Sequence, residues 1–340
     1  MYLSAAEAIL PALQRTRRFL FQPFRFGTYF KLCLVALLTE GLGGNFSSSH
    51  HGGHPSPPEP GVHPPFLFNP AWIAVAVAAF LIVALLGVIV FYLITRLRFA
   101  YFHCLIHNLR EIRPGWHLYR SQATRFFWLN IVVGLCFLLL IAIIAIPFIG
   151  GFVHLFRVYQ AGGHPGIGAL LSLILPLIPV ILLLVLAGFA SDVILRDFML
   201  PHYALENATP AQAWGAVRAR ILTQKGPFFV YALLRIVLPI VGVILLFAIL
   251  LIPGIVFVAA VAIVEVGIHS AFGDGGLALE ILVGIVAFVV ALVIGICFGG
   301  PLSTATREFA LIFYGARYQP LGDILFPPPP ARAFTPPAPV

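Results

Sequence analysis

The stretch Arg196-Asp197-Phe198-Met199-Leu200-Pro201-His202-Tyr203 recurs, little altered, as Arg307-Glu308-Phe309-Ala310-Leu311-Ile312-Phe313-Tyr314. Both copies read R-[D/E]-F-x-L-x-x-Y, and each closes a long apolar run. On an α-helix the Arg, Leu and Tyr of that pattern fall at i, i+4 and i+7, on one face. Such a face suits a helix leaving a bilayer, and its duplication implies internal repetition. Charged and aromatic residues are common at bilayer interfaces. Arg196, Asp197, Phe198 and Tyr203, with Arg307, Glu308, Phe309 and Tyr314, are therefore predicted to be membrane-exit anchors.

Composition agrees. A chain of 340 residues that is 61% hydrophobic and 9% charged, with a mean hydropathy of +1.02, has too little polar surface to coat a soluble globule. The bases alternate with apolar runs and form no continuous patch, which argues against nucleic acid as a partner. Of the 20 basic residues all but Lys31 and Lys225 are arginine, which binds phosphate through two parallel hydrogen bonds. Anionic lipid headgroups are the expected partners. Cys33, Cys104, Cys136 and Cys297 are isolated in sequence and imply neither a disulfide framework nor a zinc site.

In chain order, Ser4-Ala5-Ala6-Glu7 is a capping box that should open a surface helix. Apolar runs predict spans at 26–42, 71–95, 126–148, 170–190, 227–250 and 279–298. The first is short and is read as an uncleaved span, because no small-residue cleavage site follows it. Residues 43–70 are a Gly/Ser/His/Pro loop without a base, and 327–340 a proline-rich tail that need not fold. The six arginines between residues 96 and 125, interleaved with aromatics, describe a basic surface segment. Thr209-Pro210-Ala211-Gln212 is a second capping box, after which Trp214, Val217 and Ile221 should share a face. Pro253-Gly254 should break the fifth apolar run and leave 255–267 as an outer or re-entrant helix.

Five bases lie before or early in the first span, six between spans 2 and 3, four between spans 4 and 5, and three after span 6. Only Arg157 falls on the other side. The positive-inside rule then places both termini in the cytoplasm. The repeat extends beyond the quoted copies: Phe126-Phe127 matches Phe228-Phe229 and Pro147 matches Pro253, at offsets of 102 and 106 against 111 for the tyrosines. The expected fold is an all-α polytopic membrane helical bundle of about six spans, a single domain over 1–326, built from internal repeats with cytoplasmic amphipathic helices.

Phe198-x-x-Pro201, Glu206, the alanines 211, 213 and 216, and Lys225-Gly226 before a span resemble the membrane domain fused to some bacterial glycerophosphoryl diester phosphodiesterases. The ending Tyr314-Gly315-Ala316-Arg317 through Asp323 is similar to the closing Tyr-x-x-Arg motif of such multi-pass families. It departs by lacking the acidic residue after the tyrosine and the Arg-Lys-Glu run. The resemblance implies a helical membrane module and transfers no catalytic residue, since the family's chemistry belongs to a separate barrel of roughly 250 residues.

His50, His51, His54 and His63 lack an acidic or thiol partner at ligand spacing, so no metal is expected. His103 and His107 share a helix face without the carboxylate of a zinc protease motif. Gly41-Leu42-Gly43-Gly44 lacks the Lys-Ser/Thr of a nucleotide loop. Arg235, alone among the bases, lies well inside a span, where an arginine costs on the order of 3 kcal/mol. It is expected to form an ion pair with Asp192 or Glu308. No catalytic or cofactor site is expected. The sequence reads as a non-enzymatic inner-membrane scaffold or lipid-organising module. A transporter or export accessory is the alternative, and a lipid-acting membrane enzyme the third reading.

Overall fold

The computed structural model describes residues 3–41, 70–162 and 166–327, and no strand occurs among them. The 43–70 loop with its histidines, apart from Pro70, and the 327–340 tail beyond its first residue lie outside this set. The helices are α1 (Ile9–Phe21), α2 (Phe26–Ala36), α3 (Pro70–His107), α4 (Arg113–Leu118), α5 (Arg120–Gln160), α6 (Ile167–Val193), α7 (Leu200–Leu205), α8 (Pro210–Thr223), α9 (Lys225–Phe272), α10 (Leu277–Gly315) and α11 (Gln319–Leu325). Two π-helical stretches interrupt them, Leu37–Gly41 after α2 and Ile194–Met199 between α6 and α7.

Among the described residues, five helical stretches are long and apolar enough to cross a membrane: Ile73–His107, Arg120–Gln160, Leu171–Leu205, Lys225–Phe272 and Leu277–Gly315. Their most apolar windows bury almost nothing against the protein. Leu138, Leu183, Phe247 and Phe288 are each more than 60% exposed. The α2 segment with its π extension holds 11 and 5 residues. At 1.5 Å per residue it reaches about 24 Å, less than the ~30 Å hydrocarbon core.

The predicted break at Pro253-Gly254 is absent. Helix α9 runs unbroken for 48 residues through Pro239 and Pro253, so 255–267 continue the same helix. A proline removes one backbone donor, and an otherwise apolar helix absorbs that loss where the surroundings demand helical backbone. Capping chemistry appears where the sequence places it. Ser4 Oγ accepts from the Glu7 amide at 3.2 Å while Glu7 Oε2 accepts from the Ser4 amide at 2.8 Å. Thr209 and Gln212 exchange the equivalent pair ahead of α8.

Contacts group the chain into two compact units. One comprises Met1–Leu13, Thr124–Leu238 and Arg307–Val340, the other Gln14–Ala123 and Pro239–Thr306. The units interleave in sequence because α1, α5, α9 and α10 each contribute residues to both.

In the second unit the core is built on Phe19, Leu20, Leu32, Cys33 and the Phe99–Phe102 stretch, with Thr39 and Thr304 buried among them. Several arginines of the predicted basic surface act internally here. Arg15 donates to the Leu105 and Ile106 carbonyls at the end of α3, at 2.7 and 3.2 Å. Arg98 donates to the Thr39 carbonyl in the π stretch at 3.0 Å. Arg96 holds the Trp116 carbonyl at 3.1 Å and lies over its ring. Arg110 bonds the Gln22 and Pro23 carbonyls. A helix end leaves carbonyls without intrahelical partners, and a guanidinium satisfies two at once.

Helices α2 and α10 meet at Gly300, where an added Cβ would lie 2.6 Å from the Cys33 Cα. Gly300→Ala should cost ~1–3 kcal/mol through overpacking, read as a lower melting temperature in detergent. Gly254→Ala, with nothing within 4 Å of its Cβ, should stay within about 1 kcal/mol of the parent.

Candidate functional site

The two R-[D/E]-F copies meet in the first unit. All eight residues of each copy are buried. Predicted as exit anchors, they also form part of the unit's core, where each arginine travels with an acid and most of the remaining positions are apolar or aromatic.

The centre is Asp197, fully buried on the π stretch Ile194–Met199. Its Oδ2 accepts from the Tyr231 hydroxyl at 2.7 Å and from Arg235 Nε at 3.0 Å. Its Oδ1 accepts from Arg307 Nη1 at 3.0 Å, and the same nitrogen reaches the Arg196 carbonyl at 2.9 Å. Arg235 is thus paired with an acid from the predicted region. Asp197 is one acid it meets, and the expected partners Asp192 and Glu308 belong to the same unit. A π turn adds a residue to the helical register and re-aims the side chains it carries; Asp197 lies within this one and Asp192 precedes it. Asp192, on the last turn of α6, stands with its Oδ1 2.5 Å from Arg196 Nε, an ion pair by distance whose angle falls short of a hydrogen bond. Glu308 is fully buried in the same unit.

Aromatic rings close over the charges. Tyr231 stacks on Phe309 and Phe313 with centroids 5.2 and 4.3 Å apart. Phe198 packs against Phe228, Tyr231, Phe313 and Tyr314. Tyr203 meets the edge of Phe126. Both carboxylate oxygens of Asp197 are occupied and the residue has no exposed surface. This arrangement clamps three helical segments and leaves no open position for a ligand.

A second polar group went unrecognised in the sequence. His202 sits inside the first copy, with Glu206 four residues on, and i,i+4 spacing was the available signal. His202 Nδ1 lies 3.0 Å from Glu206 Oε2, and Nε2 lies 2.8 Å from the Tyr314 hydroxyl and 3.4 Å from Arg220 Nη1. A carboxylate only accepts, so the ring proton belongs on Nδ1, and both other donors converge on Nε2. The chain Glu206–His202–Tyr314 has the order of an acid–base relay, yet Tyr314 is fully buried and its oxygen meets no open space. Its chemistry is that of a latch between α7 and the end of α10. The Tyr318 ring lies 4.2 Å from that of His202 at a tilt of 43°, Arg220 lies over the Tyr318 ring, and burial raises its phenol above the ordinary range.

His103 and His107 have ring centroids 4.6 Å apart, and His103 Nδ1 lies 3.3 Å from the Tyr119 hydroxyl. Among the described residues no three His, Cys, Asp or Glu side chains gather as metal ligands would.

With no strand and five membrane-length apolar helical stretches among its described residues, and ion pairs buried around Asp197, the chain belongs to the class of helical membrane proteins. Within it, residues 3–324 match the model of a family of unknown function (DUF7544), and the chain belongs to that family. No curated protein and no solved structure matches it.

Asp197→Asn should destabilise the protein by ~3–5 kcal/mol, because two guanidinium groups lose their counter-charge. Arg235→Gln should cost less, since Arg307 still pairs the acid. The double variant should fall short of the sum of the two, as the melting temperatures of the four proteins in one detergent would show. Glu206 gives a pH signature. The His202 hydrogen bond holds its carboxyl below the ordinary range. Its contribution is therefore complete above the unfolded value of about 4.3 and lost as pH falls through the lower folded value. Glu206→Gln should flatten the acid side of the melting-temperature profile and leave the neutral side's slope unchanged.

Proposed function

We propose that the protein is a non-enzymatic, multi-pass module of the bacterial-type inner membrane that organises anionic lipid at its cytoplasmic face. In this reading α2 with its π extension supplies a sixth crossing, and both termini are cytoplasmic. The architecture is a repeat of surface helix, span, outer connection and span. A shared local device supports the repeat: each π stretch has a backbone carbonyl met by a buried arginine, Arg98 on Thr39 and Arg307 on Arg196. The likeness to phosphodiesterase membrane domains belongs to the same proposal, as a membrane module without catalytic machinery of its own.

The observation that carries the lipid role is what α1 and α8 expose. Helix α1 turns Ala12, Thr16 and Phe19 inward and leaves Leu10 and Leu13 at least half exposed beside exposed Arg17 and Arg18. Helix α8 buries Ala213 and Val217 and exposes Trp214, Arg218 and Leu222. The shared face predicted for Trp214, Val217 and Ile221 is therefore divided, because small Ala213 with Val217 makes the closer-packing stripe. Apolar side chains next to arginine on an outward face fit a leaflet interface with anionic headgroups.

The second reading, a transporter or export accessory, draws on Pro147 in α5 and Pro253 in α9, prolines at matching places in repeated spans. The closed packing around Asp197 favours the scaffold, and a lipid-acting enzyme has the least support. Hydrogen exchange on the full chain in nanodiscs tests the reading. Protection of α1 and α8 should rise when phosphatidylglycerol is added to phosphatidylcholine and fall as salt increases. Replacing Arg17, Arg18 and Arg218 by Gln should remove the gain, each base being worth about 1 kcal/mol at an anionic surface. Equal protection in both lipids would overturn it.

A further inference from the structure

In the first unit a groove of about 480 Å³ runs between the end of α6 and the start of α9. Leu186, Phe189, Val193, Phe229, Leu233 and Ile236 make its walls, and Tyr231 and Phe198 form the floor above Asp197. Its rim is open: Leu186, Phe229 and Leu233 are each more than half exposed. One charged group lines it, Lys225, the first residue of α9.

The dimensions fit a lipid. Lys225 to Ile236 spans 11 helical steps, about 16 Å at 1.5 Å per residue. One leaflet's hydrocarbon is about 15 Å deep, half of the ~30 Å core. The groove is thus apolar over one leaflet's depth and carries an amine where a headgroup phosphate would sit. It opens sideways between two membrane-length helices, so hydrocarbon is what faces it in a bilayer.

We infer that this groove holds one acyl chain of an anionic glycerophospholipid, with Lys225 on its phosphate. The inference rests on the membrane reading above and names a bound lipid where that reading requires only a surface. Hydrocarbon in the groove completes the apolar wall around Tyr231 and keeps water from the Asp197 ion pairs. Headgroup selection comes from the single amine, which a zwitterionic headgroup neutralises less well because it brings its own cation.

Native mass spectrometry of the full chain released from nanodiscs of equal phosphatidylcholine and phosphatidylglycerol tests this. The parent should retain one phospholipid, enriched about fivefold in phosphatidylglycerol, the worth of one base at a leaflet surface. Lys225→Glu, on an exposed side chain, should keep a lipid and lose the enrichment. Ala232→Trp, from the groove wall, should lose the lipid while its helical circular dichroism is unchanged. Should that variant melt, Leu186→Trp on the opposite wall gives the same readout. Retention of the same lipid by both tryptophan variants would overturn the inference, as would a parent without headgroup preference. Dissociation of an oligomer by the tryptophan would also overturn it, giving the groove to a second copy. Hydrogen exchange of α1 and α8 in the tryptophan variants separates the two ideas: an intact anionic-lipid response there leaves the surface role standing when the groove fails.

Discussion

A carboxylate taken out of water must be neutralised where it lies, and Asp197 is neutralised from three directions. Removing a carboxylate and a guanidinium from water costs several kcal/mol each unless charge and hydrogen bonds are both satisfied. Here Tyr231, Arg235 and Arg307 satisfy them with geometry at 2.7 to 3.0 Å. The cost is met only when the π stretch after α6, the start of α9 and the end of α10 are together. Assembly of the first unit is therefore tied to one side chain. The wider group is formally balanced as well: Arg196, Arg235 and Arg307 against Asp192, Asp197 and Glu308, three against three. This explains the acid beside each arginine in the duplicated stretch. An R-D or R-E pair brings its own counter-charge and can enter a core where a lone arginine could not.

The π stretches make that packing possible. In a π turn the register of hydrogen bonds lengthens and one carbonyl is poorly served by the helix. Arg307 takes the Arg196 carbonyl in one unit, and Arg98 takes the Thr39 carbonyl in the other. Thr39 adds a local bond from its hydroxyl to the Val35 carbonyl at 2.8 Å. The irregular backbone is thus stabilised by side chains whose positions depend on a second helix, which makes each irregularity a point of helix–helix recognition.

Long apolar runs, both capping boxes and the need of Arg235 for an acid were legible, because each rests on local spacing or on one residue's solvation. That Asp197 is among its partners was not legible, because the burial of Asp197 goes with the π stretch Ile194–Met199 that carries it. The continuity of α9 past Pro253 was also hidden, since a proline signals a lost donor and says nothing of the surroundings that tolerate it. The burial of the duplicated stretch was not legible for a related reason. Charged and aromatic residues near the end of an apolar run describe an interface and a polar core equally well, and only the partners of Arg196 and Arg307 separate the two. His202 and Glu206 stood in plain view at i,i+4, but their meaning required Tyr314, more than a hundred residues away.

The distribution of arginine follows from where the protein is packed. Buried residues gather at Val193–Ala204 and Phe309–Tyr314 in one unit and at Phe99–Ile106 in the other, and the windows between are almost wholly exposed and apolar. Exposed apolar surface on that scale has no place in water, whereas in lipid it needs no protein partner, because lipid tails are as apolar as leucine. Protein–protein cohesion then has to come from the helix ends, where polar backbone groups are left over and hydrophobic packing alone is scarce. Arginine supplies it: Arg15, Arg98, Arg110, Arg307 and Arg317 each reach a backbone carbonyl. Net positive charge in such a chain is therefore a poor count of lipid contacts. A large share of it is structural, and among the described residues the bases left exposed are Arg17, Arg18, Arg25, Lys31, Arg113, Arg120, Arg125, Arg157, Arg218 and Lys225.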